Sequence, residues 1–299
     1  KIFAVKGRPA DNPLIVHVAE ISEARRLVRD WPETAEICAL KFWPGPLTLV
    51  LPKAPIIPDI ISAGLDTVAL RMPSHQVALD LISAAGCPLA APSANISGKP
   101  SPTDGAHVWQ DLEGKIPLIL DAGNTAYGLE STVLDLTGEI PVILRPGGVT
   151  REQLSAELGR VEADLAGDRG GPGLARPKSP GMKYRHYAPS GEIILLEGEL
   201  EEKADKIAQY LNNRKTGKKV ALLCMQETFD ILKAKIKQQP DLLYFFGSQK
   251  KPGEAASHLF AGLRLCDQQG IDIILAEGMP SEGIGLAFMN RLHKAAGKR

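Results

Sequence analysis

Cysteine is sparse in this sequence. Cys38, Cys87, Cys224 and Cys266 lie far apart and form no CxxC pair. That spacing argues against a zinc site, and a disulfide framework does not suit a chain of 299 residues. The four thiols are expected as small buried apolar residues. Net charge is also missing, with 35 Lys+Arg against 35 Asp+Glu. No global field therefore points to nucleic acid or to a membrane surface. No apolar run approaches the ~20 residues of a membrane span, and no signal peptide is evident, so a cytoplasmic protein without membrane partners is expected. The histidines at 17, 75, 107, 186, 258 and 293 fall in no HExxH, no Cys/His pairing and no GxSxG. Nothing resembles a covalent nucleophile beside its base. "GGPGLA" does not follow a strand, and "SGKPS" places Pro after Gly-Lys, so neither a dinucleotide fingerprint nor a P-loop is present.

What is present reads as an α/β chain of two domains. "PLIVHVA", "LTLVLP", "TVALRMP", "PLAAPSA", "IPLILDAG", "STVLDL" and "PVILRPG" are strand-like runs bounded by Pro and Gly. "ISEARRLVRDW" and "HQVALDLISAAG" read as helices, the second stopped by Gly86. Many strands and few helices predict an open sheet covered on one face. From Glu192, four strands ("EIILLEG", "KVALLCM", "LLYFFGS", "IDIILAEG") alternate with four helices, which predicts a smaller doubly wound parallel domain. The expected boundaries are 1–160, 161–190 and 191–299. The middle stretch is rich in Gly, Pro and basic residues; residues 160–189 hold 6 basic and 3 acidic, against 12 and 16 over 1–150. Met182, Tyr184 and Tyr187 interleave with Lys183, Arg185 and His186, so an ordered basic linker is expected rather than a disordered tether.

Three elements in the first domain suit an anionic ligand. Lys6-Gly7-Arg8 puts two cations either side of a permissive residue, where Arg can chelate phosphate and Lys acts as a point charge. The same pair also suits a solvated helix C-terminus, and spacing leaves the two readings level. In "APSANISGKPSPT", Ser93 and Asn95 alternate onto one face, followed by Ser97, Ser101 and Thr103; turn formation accounts for such residues equally well. Arg71 and Arg145 each end a strand-like run. With Lys6 and Arg8 they would make a cationic cavity in an otherwise acidic domain, and that asymmetry favours an anionic ligand over exposed turns.

Taken in order, "KGRPADNPLIVHV", "FWPGPLTLVL", "VALRMP", "APSANISGKPSPT", "GLESTVLDL" and "ILRPGG" resemble the YrdC-like threonylcarbamoyl-AMP synthases. "SPGMKYRHYAP" and "GIGLAFMNRLHKAA" are similar to the long branch of that family, with a Rossmann-like C-terminal domain. The resemblance implies a nucleotidyltransferase that makes threonylcarbamoyl-AMP and pyrophosphate from L-threonine, bicarbonate and Mg²⁺-ATP. A partner complex would pass the group to the adenosine beside a tRNA anticodon. It implies catalytic roles for Lys6 and Arg8. ATP contacts are implied for Lys6, Arg8, Asn12, Thr67, Ser93, Asn95, Ser101, Arg145, Tyr184 and His186, and threonine contacts for His17, Arg71, Ala91 and Ser131. No residue is implied as a metal ligand. Tyr184, Arg185, His186 and Tyr187 are expected to fold over the cavity as a lid. The family also carries a "PTETVYGLG"-like strand and loop ahead of Lys-x-Arg, whose Thr and Tyr help hold threonine; this sequence starts after it. The alternatives are a non-catalytic RNA- or nucleotide-binding module, and a carbamoyltransferase of the kind that carries cysteine zinc modules, which this sequence lacks.

Overall fold

Proline, glycine and the alternation of β-branched residues cut the chain into short elements. The computed structural model describes residues 1–164, 187–214 and 217–297. In chain order these are α1 (Ile2–Lys6), β1 (Ile15–His17), α2 (Ile21–Arg26), α3 (Glu33–Phe42), β2 (Leu47–Pro52), α4 (Asp59–Ser62), β3 (Thr67–Arg71), α5 (Gln76–Ala85), β4 (Leu89–Ala90) and α6 (Gly105–Leu112). There follow β5 (Thr132–Asp135), β6 (Val142–Arg145), α7 (Arg151–Leu158), β7 (Glu162–Ala163), β8 (Glu192–Leu196), α8 (Leu200–Asn212), β9 (Val220–Met225), α9 (Gln226–Leu232), β10 (Leu242–Gly247), α10 (Pro252–Gln268), β11 (Ile273–Glu277) and α11 (Ile284–Ala295).

The chain packs as two units, one from residues 1–96 and 130–184, the other from 97–129 and 185–299. The change of composition near residue 160 does not reveal the excursion of 97–129 into the second unit.

The first unit is built on a seven-stranded mixed sheet in the order β4-β1-β3-β2-β5-β6-β7. Alternation along each strand gives it two unlike faces. One face carries Val16, Leu47, Leu49, Leu51, Val68, Leu70, Leu134 and Ile143, packed against Ala35, Cys38 and Ala39 of α3 and Leu154 of α7. Burying a side chain of this size contributes about 1.5–3 kcal/mol, so most of this unit's stabilisation lies here. The other face has a small apolar patch of Ile15, Val50, Ala69, Val133 and Leu144. The expected open mixed sheet is present, with more helix than the sequence suggested: α3 and α7 were not anticipated. The apolar face of α3 is written in Ala35, Cys38 and Ala39, residues too small to draw notice.

The second unit holds four parallel strands in the order β10-β9-β11-β8. Val220, Leu222 and Cys224 face α8 and α9, and Ala221, Leu223 and Met225 face α10 and α11. Helices on both faces make it doubly wound, as the four regular strand–helix repeats predict. Residues 116–123, "IPLILDAG", form no strand. Leu118 and Leu120 are exposed there, and a strand-like composition without a partner ladder does not make a strand. Three cysteines are buried as expected, but Cys87 is exposed, one residue past the helix stop at Gly86. No helix among the described residues is long and apolar enough to cross a membrane.

Candidate active site

Helix α1 is only five residues long and ends at Gly7, whose φ of 61° is left-handed. Such a cap favours glycine because a Cβ would be strained there. The Arg8 amide returns to the Phe3 carbonyl at 2.9 Å, so the chain reverses between the two cations. Lys6 turns inward and is 5% exposed. Its Nζ donates to the Ser93 carbonyl at 2.5 Å, to the Asn95 carbonyl, and to Asn95 Oδ1 at 3.2 Å. The Ser93 hydroxyl donates to the same Oδ1 at 2.6 Å. The Lys-x-Arg and Ser-x-Asn motifs, some 87 residues apart, are thus one cluster. Arg8 donates to the carbonyls of Asn12, at 3.3 Å, and Pro13, at 2.8 Å. These carbonyls orient the cations while carrying no formal charge that would cancel theirs. The solvated-pair reading of Lys6 is therefore set aside.

Strand directions position the remaining candidates. β1 and β3 are parallel, β2 runs against β3, β5 runs with β2, and β6 runs against β5. The carboxyl ends of β1, β3 and β6 therefore share one edge with the amino ends of β2 and β5. That edge carries His17, Arg71, Arg145 and Ser131. His17 and Arg71 are register partners. Arg71 Nε donates to the Gly45 carbonyl at 3.0 Å. Arg145 is 5% exposed and donates to the Ser131 carbonyl at 2.9 and 3.2 Å and to its hydroxyl at 3.2 Å. From β1 to β5 is three strand spacings, about 14 Å. Thr67 begins β3 at the other end, and the Ala91 amide donates to the Ile15 carbonyl at 3.0 Å, also near that end. Asn12 lies just ahead of β1, on the same side as Thr67.

The pleat adds a second constraint. His17 shares a face with Ile15, and Thr67 and Arg71 share one with Ala69. Ser131 continues the alternation of Val133, and Arg145 is registered opposite Val133. All five belong to the lightly covered face, around the patch of Ile15, Val50, Ala69, Val133 and Leu144.

Two buried polar atoms here have no partner among the described residues: Asn12 Oδ1 and His17 Nδ1. An unpaired buried polar atom costs about 1–3 kcal/mol, which a bound hydrogen-bonding group would relieve. Burial first, and the Arg71 guanidinium second, push the His17 imidazole down to about 4. The ring is neutral at neutral pH.

Ser101 belongs to the second unit, where its carbonyl accepts from Arg264. Tyr184, Arg185 and His186 lie outside the described residues. Tyr187, expected in a lid, is 6% exposed in the core of the second unit. Its ring stacks 5.1 Å from Phe260 and under the Arg291 guanidinium at 5.5 Å. Such a ring anchors the end of the linker.

Two contributors were missed. Thr48 shares a hydrogen bond of 2.7 Å with the Ser131 hydroxyl; it is the lone polar residue in the Leu47–Leu51 run, and that was its signal. Gly147 has no room for a side chain: a Cβ would come within 2.4 Å of the Glu130–Thr132 backbone. Among the described residues no cluster of three or more His, Cys, Asp or Glu could hold a metal ion.

The chain is similar to proteins of known family. A family model described as "Telomere recombination" matches residues 1–147, and one described as "Threonylcarbamoyl-AMP synthase, C-terminal domain" matches 149–297. Threonylcarbamoyl-AMP synthase of Pyrococcus abyssi is 48% identical over 300 residues, spanning 100% of this chain and 84% of that protein. The Bacillus subtilis protein of the same name is 45% identical, spanning 100% and 83%. The crystal structure of P. abyssi Sua5 complexed with L-threonine superposes with a TM-score of 0.91 at 47% identity, covering 100% of this chain and 84% of that one.

Proposed function

The chain belongs to the threonylcarbamoyl-AMP synthase family, and we propose that the open face of its first sheet carries out that family's reaction. L-Threonine, bicarbonate and ATP are converted to threonylcarbamoyl-AMP and pyrophosphate. The observation that carries this reading is the convergence of His17, Thr67, Arg71, Ser131 and Arg145 on one face, beside a Lys6–Ser93–Asn95 cluster with a buried ammonium.

The chemistry asks little of the protein as a nucleophile. The threonine amine condenses with bicarbonate, losing water, to give a carbamate. A carbamate oxygen attacks the α-phosphorus of ATP, the bond to the β-phosphate oxygen breaks, and pyrophosphate leaves. Two anions must meet: at ~4 Å and an effective dielectric of ~20, unit charges repel by about 4 kcal/mol. Lys6, Arg8 and Arg145 offset that repulsion and the charge that develops on the phosphates. Arg71 pairs with the threonine carboxylate. Neutral His17 pairs its Nδ1 with the threonine hydroxyl, which gives a partner to an atom that has none among the described residues. Ser131, held by Arg145 and Thr48, lines the amino-acid side, and the Ala91 backbone bounds the site near the start of β1. Asn12, Thr67, Ser93 and Asn95 serve the nucleotide. Mg²⁺ enters as part of the ATP substrate, since the donors gathered here are cationic or neutral. The product then goes to the complex that modifies tRNA beside the anticodon.

The test is pyrophosphate release with each substrate omitted in turn. Release that requires threonine, bicarbonate and ATP together supports the reading. A folded chain that binds RNA with a steep salt dependence, yet releases no pyrophosphate with all three present, is instead a binding module.

A further inference from the structure

Two consecutive hydroxyls of the first unit, at Ser131 and Thr132, are paired differently. Thr132 Oγ1 accepts from the Val149 amide at 3.0 Å and donates to the Val149 carbonyl, so its proton is used within the protein. Ser131 Oγ accepts from Arg145 Nη2 at 3.2 Å and shares a hydrogen bond of 2.7 Å with Thr48 Oγ1. A guanidinium only donates, so the direction of the first contact is fixed. The second can run either way.

The protons can be counted. Ser131 and Thr48 carry two hydroxyl protons, and the bond between them uses one. Among the described residues no acceptor takes the other. Both side chains are buried, with Thr48 0% and Ser131 2% exposed. If Ser131 donates to Thr48, the spare proton stays on Thr48, within strand β2. If Thr48 donates to Ser131, both lone pairs of Ser131 Oγ are taken, by Thr48 and by Arg145. Ser131 then keeps the spare proton, at the edge that carries Arg71 and Arg145. A ligand that accepts from Ser131 satisfies every hydroxyl in the set. A ligand that donates to Ser131 leaves the Thr48 proton buried and unpaired, which is costly. The Ser131 backbone is fixed as well. Its carbonyl accepts twice from Arg145, at 2.9 and 3.2 Å, and the following amide donates to the Pro46 carbonyl at 2.9 Å. Gly147 packs against the same peptide with no room for a side chain.

We propose that Thr48 is a positioning residue that makes Ser131 a hydrogen-bond donor, and that Ser131 donates to a carboxylate oxygen of the bound amino acid. The Arg145 guanidinium on Ser131 Oγ polarises the hydroxyl and favours an anionic acceptor. The proposed reaction offers two groups of that chemistry: the α-carboxylate of threonine and the carboxylate of its carbamate. The inference rests on the proposed threonine role of Ser131.

The experiment uses the full chain with Thr48→Val, which keeps the shape without the hydroxyl, and Thr48→Ser, which keeps the hydroxyl. Calorimetry gives dissociation constants for L-threonine and for L-threoninol, whose carboxylate is replaced by a hydroxymethyl group, with and without bicarbonate. Loss of one such hydrogen bond weakens binding by about 2- to 10-fold. Thr48→Val is expected to show that loss, and Thr48→Ser to restore the affinity. A loss without bicarbonate, for threonine but not threoninol, assigns the α-carboxylate. A loss that appears only with bicarbonate, and for both compounds, assigns the carbamate. If Thr48→Val does not fold, Thr48→Ala carries the same comparison. Unchanged threonine affinity under both conditions overturns the proposal. So does an equal loss for threonine and threoninol without bicarbonate, which a packing defect would give, or a Thr48→Ser chain as weak as Thr48→Val. An unmodified chain that binds no threonine overturns it too. One that binds threonine but releases no pyrophosphate refutes the proposed reaction instead, and the affinities still decide this point.

Discussion

Replacing Lys6 with Met removes an ammonium while keeping an unbranched apolar side chain, so the variant separates charge from packing. The structure sets two costs. The Ser93 and Asn95 carbonyls lose their buried donor, and an unsatisfied buried carbonyl costs about 1–3 kcal/mol. Ser93 is exposed and water can replace its donor, so the buried Asn95 carbonyl sets the loss in stability, about 1–3 kcal/mol at neutral pH by urea unfolding. The second cost falls on the reaction. Loss of one preorganised donor to charge developing in a transition state costs roughly 10²–10³-fold in turnover. The assay is threonine-dependent pyrophosphate release at saturating ATP, with threonine binding measured separately by calorimetry. Turnover is expected to fall by about two to three orders of magnitude while threonine binding stays within about twofold. A folded Lys6→Met chain with unmodified turnover refutes the phosphate role. Threonine binding lost in step with turnover refutes it too, because the ammonium would then be holding the fold alone.

Three further outcomes follow from the same geometry. His17 has a folded pKa of about 4, below its unfolded value near 6.5, so the unfolded chain takes up the proton first as pH falls. Its stabilising contribution, up to about 3 kcal/mol, should be present at pH 7 and drain away from pH 6.5 to 4; a His17→Asn chain that loses stability just as steeply over that window contradicts this. Gly147→Ala should drive the Glu130–Thr132 backbone away and lower both melting temperature and threonine affinity, whereas unchanged affinity would mean that Ser131 does not line the site. In the second unit, Lys203 and Glu277 form a buried pair at 2.7 Å, and Lys203→Met should destabilise by about 3–5 kcal/mol in chemical denaturation; a change within 0.5 kcal/mol, the usual surface effect, would contradict that.

The strands β1–β6 and β8–β11 were legible because alternation and Pro/Gly punctuation are local signals; β7, only Glu162–Ala163, is too short to carry either. The open face was legible in part: Thr48, Thr67, Arg71 and Ser131 interrupt the apolar alternation, but register decides which face they share. Contact between Lys6 and Asn95 could not be read from spacing, since nothing local links positions 89 apart. The family's ordered motifs brought the two together. "IPLILDAG" has the composition of a strand but no strand to pair with, so propensity alone does not make it one. The excursion of 97–129 was invisible because one arginine, more than 150 residues later, holds it. Tyr187 was read as a lid from its basic neighbours, yet its burial against Phe260 makes it an anchor.

The most direct measurement is mass spectrometry of the reaction product with L-threonine, isotope-labelled bicarbonate and Mg²⁺-ATP, with L-serine as competitor. The account predicts threonylcarbamoyl-AMP carrying the bicarbonate label, formed in equal amount with pyrophosphate and favoured over its serine counterpart. A folded chain that yields no labelled adenylate, or that splits ATP without regard to threonine, contradicts it.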